Sequence, residues 1–92
     1  MSSPTLSCLV AVANAIPDLW TCTQLAIALD IGNDRVRKVQ QSVFTDQLVY
    51  TDVLCKWLEV KGEAATNAAL YDALLTINRL DLAARFRQEL LG

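Results

Sequence analysis

The sequence contains no histidine and few residues that break helices. Its 92 residues include only 3 glycines and 2 prolines, and aromatic residues make up 7%. The absence of histidine removes the commonest general base and the commonest metal ligand, so a Ser-His-Asp nucleophile is excluded and a zinc site is not expected. The three glycines stand apart, so they form no glycine-rich loop of the kind that cradles phosphate. We therefore expect no enzymatic activity, no cofactor and no metal.

Charge is also scarce. Charged residues make up 20% of the chain and the net charge is −2. Proteins that bind nucleic acid through its phosphates usually carry a basic excess, so this balance argues against nucleic acid as a partner.

The three cysteines, Cys8, Cys22 and Cys55, are an odd number without close spacing. This arrangement fits neither a disulfide framework nor a zinc site. We expect each to be a small buried hydrophobic residue in a reducing compartment. A redox role for one of them is the alternative.

The sequence has no run of about 20 apolar residues, so no segment is predicted to insert into a membrane. The stretch LSCLVAVANA ends in the small residues of a signal-peptide cleavage pattern, but no lysine or arginine precedes Asp18. Its apolar residues recur with helical spacing. We interpret it as the first helix of the fold.

Hydrophobic residues make up 53% of the chain, and alanine and leucine, both strong helix formers, are abundant. This length suits one small domain, so we predict a single all-α module over residues 1–92 with its core at about 6–90. The periodicity predicts six helices. They cover about residues 5–16, 22–30, 34–41 and 46–61, then run from about residue 66 and from just after residue 81.

The start of the second helix carries two sequence patterns. Thr21 and Gln24 have the spacing of a capping box, and Trp20 and Leu25 occupy the two positions of a hydrophobic staple. Gly32 suits the left-handed residue just past the end of this helix.

Other boundaries are predicted from caps and turns. Asn33, Thr66 and Asp81 are expected N-caps of the third, fifth and sixth helices. Residues 42–45 are expected to form a loop, and Gly62 is expected to end the fourth helix.

The stretch LAIALDIGNDRVRKVQQ has the outline of a helix-turn-helix DNA reader. Ala26 is small enough for a close helix crossing, and Val36 is a branched residue at the right separation to complete it. Three cations follow on the second of these helices: Arg35, Arg37 and Lys38. Any two short helices that cross at a tight turn need the same small and apolar residues, so the pattern is not specific to DNA binding.

The second half of the chain, VLCKWLEVKGEAATNAALYDALLTINRLDLAARF, resembles the C-terminal half of a death domain. The positions that carry this resemblance are Leu54, Trp57, Gly62, Ala65, Thr66, Leu70, Leu74, Arg79, Asp81, Leu82 and Ala83. The first half is similar to the second and third helices of the family. Its matching positions are Trp20, Leu25, Ala26, Leu29, Ile31, Val36 and Val39.

The resemblance covers roughly residues 6–90 and has one departure. The family's tryptophan stands three residues before its Leu-Ala pair, whereas Trp20 stands five residues before Leu25. The extra residues would lengthen the turn between the first two helices or shift the start of the second.

The resemblance implies a fold and a role. The fold is a six-helix antiparallel bundle with Greek-key connections. The role is that of a non-catalytic module that binds other death domains, as a homo- or hetero-oligomer, in cytoplasmic signalling for cell death or innate immunity.

Assembly in the family uses three pairs of surfaces, so the resemblance also implies candidate interface residues. They are Arg35, Arg37, Lys38, Asp46, Asp52, Glu59, Lys61, Glu63, Arg79 and Asp81. Patches of opposite sign on one domain favour head-to-tail contacts. The predicted structural core comprises Trp20, Leu25, Ala26, Val36, Leu54, Trp57, Leu70, Leu74 and Phe86.

Two other functions stay open from the sequence. One is a helix-turn-helix DNA-binding domain, which predicts an affinity for duplex DNA that falls steeply with salt. The other is an intramolecular helical scaffold that packs only against the rest of a larger protein.

Overall fold

Six α-helices follow one another in the computed structural model, which describes residues 3–42 and 45–92. Their bounds are α1 Leu6–Ala15, α2 Leu19–Ala28, α3 Asn33–Ser42, α4 Asp46–Lys61, α5 Asn67–Thr76 and α6 Leu80–Leu91, with a 3-10 turn at Gly62–Ala64. These residues contain no β-strand, so the all-α prediction is confirmed.

Three of the helices begin at threonine caps. The side-chain oxygens of Thr5, Thr45 and Thr66 each accept a hydrogen bond from the backbone N–H three residues later, at 3.1, 3.3 and 3.1 Å. Such bonds satisfy donors that the first helical turn leaves without an intrahelical partner. Gly62 ends α4 with a φ of 53°, so α4 has the bounds that the sequence predicts.

The start of α2 differs from the prediction. Its cap is Asp18, whose carboxylate oxygen accepts hydrogen bonds from both the backbone N–H and the hydroxyl of Thr21, each at 2.8 Å. Thr21 therefore lies buried in the first turn, and the predicted capping box with Gln24 is wrong. The staple between Trp20 and Leu25 is wrong for the same reason. Trp20 lies inside the helix on its outer face and is 71% exposed, so it is not a core residue.

Two further boundary residues have other positions than predicted. The left-handed residue that follows the C-cap of α2, Leu29, is Asp30, with a φ of 64°, while Gly32 adopts a φ of 73° two residues later. The predicted cap of α6 is also wrong, because the helix begins at Leu80 after Arg79 and Asp81 lies in its first turn.

Two predictions fall partly outside the described residues. These are the capping side chain of Asn33 and positions 43 and 44 of the predicted loop. Of that loop, Ser42 is the last residue of α3 and Thr45 is the cap of α4.

One hydrophobic cluster joins all six helices. α1 packs against α4 and α6, α2 contacts α3, α4 and α5, and α5 packs against α6. Eight of the nine predicted core side chains are buried: Leu25, Ala26, Val36, Leu54, Trp57, Leu70, Leu74 and Phe86. Burial of this apolar surface is the main force that holds the helices together.

Candidate functional site

Helix α3 presents the cations that the sequence singles out. Val36 and Val39 are buried where α3 packs against α2 and α4. This packing leaves Arg37 and Lys38 exposed and Arg35 half-buried. Within the described part of the chain, none of the three forms a salt bridge. Their charge is therefore available to an external partner.

A shallow depression of about 220 Å³ lies between α3 and α4. Its charged lining residues are Arg35, Lys38, Asp52 and Lys56. Asp52, a candidate interface residue near the start of α4, lines the same depression as Arg35 and Lys38. The reason is the packing of α3 against α4, which brings the side of α4 that carries Asp52 next to α3.

Lys61 has a partner that the sequence pattern does not suggest. Its Nζ lies 2.9 Å from the Oδ2 of Asp30, a residue 31 positions earlier in the chain. This hydrogen bond and the positive charge of Lys61 lower the pKa of Asp30. The pair connects the end of α2 to the end of α4, so Lys61 is not a free charge.

The other predicted charges near the end of α4 are exposed. Glu59 forms a salt bridge with Lys56, with 3.3 Å between Oε2 and Nζ. Glu63 lies exposed in the 3-10 turn. An exposed pair such as Glu59 and Lys56 adds little stability, so either side chain can give up this contact for one with an external partner.

Arg79 and Asp81 pair with each other between α5 and α6. The Nε of Arg79 donates to Oδ1 of Asp81 at 3.1 Å, and one terminal nitrogen donates to Oδ2 at 2.9 Å. The hydrogen bonds from Arg79 lower the pKa of Asp81. This fork-like pair neutralises both charges locally.

An acidic corner forms where α2 and α4 begin. Asp46 is exposed in the first turn of α4, and Asp18 caps α2. Burial is the largest cause that raises the pKa of Tyr50, followed by the negative charges of Asp46, Cys22 and Asp18. The two carboxylates therefore act on one small region. The sequence pattern missed Asp18 because Thr21 offers a competing cap three residues later.

Trp20 is a surface residue that the sequence pattern placed in the core. It lines a small depression with Thr21, Gln24, Ile77 and Arg79, beside the turn between α5 and α6. The sequence does contain a signal for this placement, because Asp18, which follows Pro17, is a good N-cap. A helix that begins after Asp18 has Trp20 in its first turn.

The cysteines have environments that disfavour thiolate chemistry. Cys22 is buried, and desolvation together with the charge of Asp46 raises its pKa to about 12. Burial also raises the pKa of Cys8 and Cys55, which are half-buried. In a cleft of about 420 Å³ between α1 and α6, Glu89 raises the pKa of Cys8 further. A nucleophilic cysteine needs the opposite shift.

Two kinds of feature are absent from the described residues. None of their helices is both long and apolar enough to cross a membrane. Residues 3–42 and 45–92 also hold no cluster of three or more side chains suited to bind a metal ion.

Comparison of the chain with protein-family models, curated proteins and solved structures found no match.

Proposed function

We propose that this chain is a non-catalytic protein-interaction module of the death-domain type, which binds other death domains or further copies of itself in cytoplasmic signalling. The observation that carries the proposal is the burial of the apolar residues in the C-terminal half of the resemblance, whereas Trp20 of its first half is exposed. The side chains of these apolar residues are at most 4% exposed: Leu54, Trp57, Ala65, Leu70, Leu74, Leu82 and Ala83. These seven residues lie on α4, α5 and α6 and just before α5, and all belong to the one hydrophobic cluster of the fold.

The helix contacts are compatible with the proposed Greek-key connections. Contacts of α1 with α4 and α6, and of α2 with α5, join helices that are not consecutive in the chain. A simple up-and-down order would favour contacts between consecutive helices.

The surface chemistry supports binding of protein rather than catalysis. The cysteines have raised pKa values, and the α3 cations have no internal partner among the described residues. Unpaired surface charge speeds association and selects partners of opposite sign.

The proposal is tested by binding of the purified chain to immobilised death domains and to itself, with duplex DNA as a third surface. We expect binding to at least one protein surface and a loss of at least about tenfold in affinity in the Arg35→Glu/Arg37→Glu variant. Arg87→Glu, an exposed arginine on α6, is the matched control and should bind as the wild type does.

Two results would overturn the proposal. One is the absence of binding to every protein surface. The other is binding to duplex DNA that falls steeply with salt and is lost in the α3 variant, because that behaviour belongs to a helix-turn-helix reader.

A further inference from the structure

The depression between α3 and α4 combines cationic side chains with an apolar one. Arg35 and Lys38 are three positions apart, so they lie on the same side of α3. Val39, which is 6% exposed, lines the depression beside them. Asp52 and Lys56, four positions apart on α4, line it from the other helix. Two packed helices therefore bring separate charges to one small space.

The lining of this depression carries a net positive charge. Among the described residues that line it, Arg35, Lys38 and Lys56 are cations and Asp52 is the one acid. Arg35 and Lys38 form no salt bridge with Asp52 or with another carboxylate of the described ranges. A concave surface of one sign with apolar walls raises the local concentration of ions of the opposite sign. The depression therefore attracts anions.

Two further groups at the depression have only weak contacts within the chain. The Nζ of Lys56 lies 3.3 Å from the Oε2 of Glu59, and both side chains are exposed to solvent, so this pair adds little stability. The hydroxyl of Ser42, which also lines the depression, donates to the carbonyl of Lys38 at 3.4 Å. This distance is long for a hydroxyl donor. Both groups can therefore turn towards a ligand at small cost.

The size of the depression and its donor types indicate the class of anion. Its volume of about 220 Å³ is below the range of about 300–1,000 Å³ for pockets that enclose drug-sized ligands. A guanidinium matches two oxygens of a phosphate at once, and ammonium groups bind phosphate as point charges. Water and salt screen each contact at such an open site, so a ligand with several negative charges is favoured.

We propose that the depression between α3 and α4 binds a small ligand that carries clustered phosphate groups. The guanidinium of Arg35 and the ammonium groups of Lys38 and Lys56 hold the phosphate oxygens. The hydroxyl of Ser42 donates a further hydrogen bond to them. Such phosphates occur in free polyphosphates and in lipid headgroups. The site goes beyond the proposed protein interaction and does not depend on it.

Titration of the isotope-labelled chain with sodium tripolyphosphate, followed by NMR, tests the site. We expect the largest amide shifts within residues 35–42 and 52–56 and an affinity that falls as salt is added. Sedimentation with phosphatidylcholine vesicles, with and without a bisphosphorylated phosphoinositide, tests the second source. Binding to the phosphoinositide vesicles but not to tripolyphosphate would assign the phosphates to a lipid headgroup.

Two double variants separate the position of the charges from their number. We expect Lys38→Gln/Lys56→Gln to lower the affinity for the phosphate probe by at least about tenfold, because two charge-assisted contacts are lost. The matched control is Arg85→Gln/Arg87→Gln, which removes the same charge from exposed positions of α6 and should bind as the wild type does.

Asp52→Asn supplies a readout in the opposite direction. It removes the one carboxylate that opposes the phosphate in the depression, so we expect the affinity to rise by about threefold or more. A folding defect cannot produce such an increase. The Asp52→Asn variant thus keeps the proposal testable if the lysine variant is unstable.

Any of three results would overturn the proposal. The first is that neither tripolyphosphate nor the phosphoinositide vesicles bind. The second is that the α6 control loses as much affinity as the lysine variant, because attraction would then follow net charge alone. The third is that sulfate at equal ionic strength binds as tightly as tripolyphosphate. No partner protein enters these assays, so the phosphate site and the proposed function fail separately.

Discussion

At the scale of single residues, the two tryptophans have opposite environments. Trp57 is 2% exposed in the C-terminal half of α4, whereas Trp20 projects from α2 into solvent. We expect Trp57→Ala to lower the free energy of unfolding by about 3–5 kcal/mol, because it removes a large buried side chain and leaves a cavity. Trp20→Ala should change it by only about 0.5 kcal/mol or less. Urea unfolding followed by circular dichroism measures both, and equal costs would contradict the placement of Trp20.

Asp18 predicts a pH effect on stability. Hydrogen bonds from the backbone and side chain of Thr21 lower its pKa below the ordinary value of 3.8. The unfolded chain therefore binds a proton more readily than the folded chain. The stabilisation is complete above about pH 4 and is lost as the pH falls through the lowered pKa of the folded state.

We expect the Asp18→Asn variant to show a weaker loss of stability below about pH 4, because asparagine also caps helices but does not titrate. Asp30 and Asp81 have lowered pKa values too, so part of the acid sensitivity will remain. Thermal melts of both proteins between about pH 2 and pH 6 make the comparison. Identical pH profiles would contradict the role of Asp18.

At the scale of elements, α5 ends in the same way as α2. Asn78, which follows the C-cap Ile77, adopts a φ of 61°, and the N–H of Arg79 donates to the carbonyl of Leu74 at 3.0 Å. This is the Schellman arrangement, which needs a left-handed residue at that position.

We therefore expect Asn78→Ala to lower the free energy of unfolding by about 1 kcal/mol, because alanine pays the steric cost of a left-handed conformation. Asn78→Gly should equal or exceed the wild type, since glycine pays no such cost. Urea unfolding ranks the stabilities of the two variants. An alanine variant that is more stable than the glycine variant would contradict the left-handed backbone at Asn78.

The bounds of the elements show what the sequence could predict. α4 was predictable at both ends because the predicted loop over residues 42–45 precedes it and Gly62 ends it; in the structure Thr45 supplies the cap. α2 was not, because Asp18 and Thr21 both suit a cap. The helix that is capped by Asp18 is about one turn longer than the predicted one, and the Thr21 hydroxyl still has a hydrogen-bond acceptor, the carboxylate of Asp18.

The candidate site was less predictable than the core. Buried positions follow from helical periodicity, whereas the pairing of Lys61 with Asp30 depends on how α2 and α4 meet in space. The meeting of Asp52 with Arg35 and Lys38 has the same origin. Contacts between residues far apart in the chain produce no pattern in the local sequence.

At the scale of the whole molecule, the fold divides its charges into two groups. Lys61 and Arg79 are held by carboxylates of the same chain, while Arg37 has no such partner among the residues described. We expect Arg37→Gln to weaken protein binding more than Lys61→Gln or Arg79→Gln does, because paired groups must first give up an existing contact. Calorimetric titration against the same partner ranks the three variants. A larger effect at Lys61 or Arg79 would contradict this division.

The most direct measurement is the dissociation constant between the chain and a death-domain partner, itself included, for the wild type, Arg35→Glu/Arg37→Glu and the Arg87→Glu control at low and high salt. An interaction module that uses α3 predicts binding that weakens with salt, drops by at least about tenfold in the double variant and is unchanged in the control. Equal affinity in all three proteins, or affinity for duplex DNA alone, would contradict it.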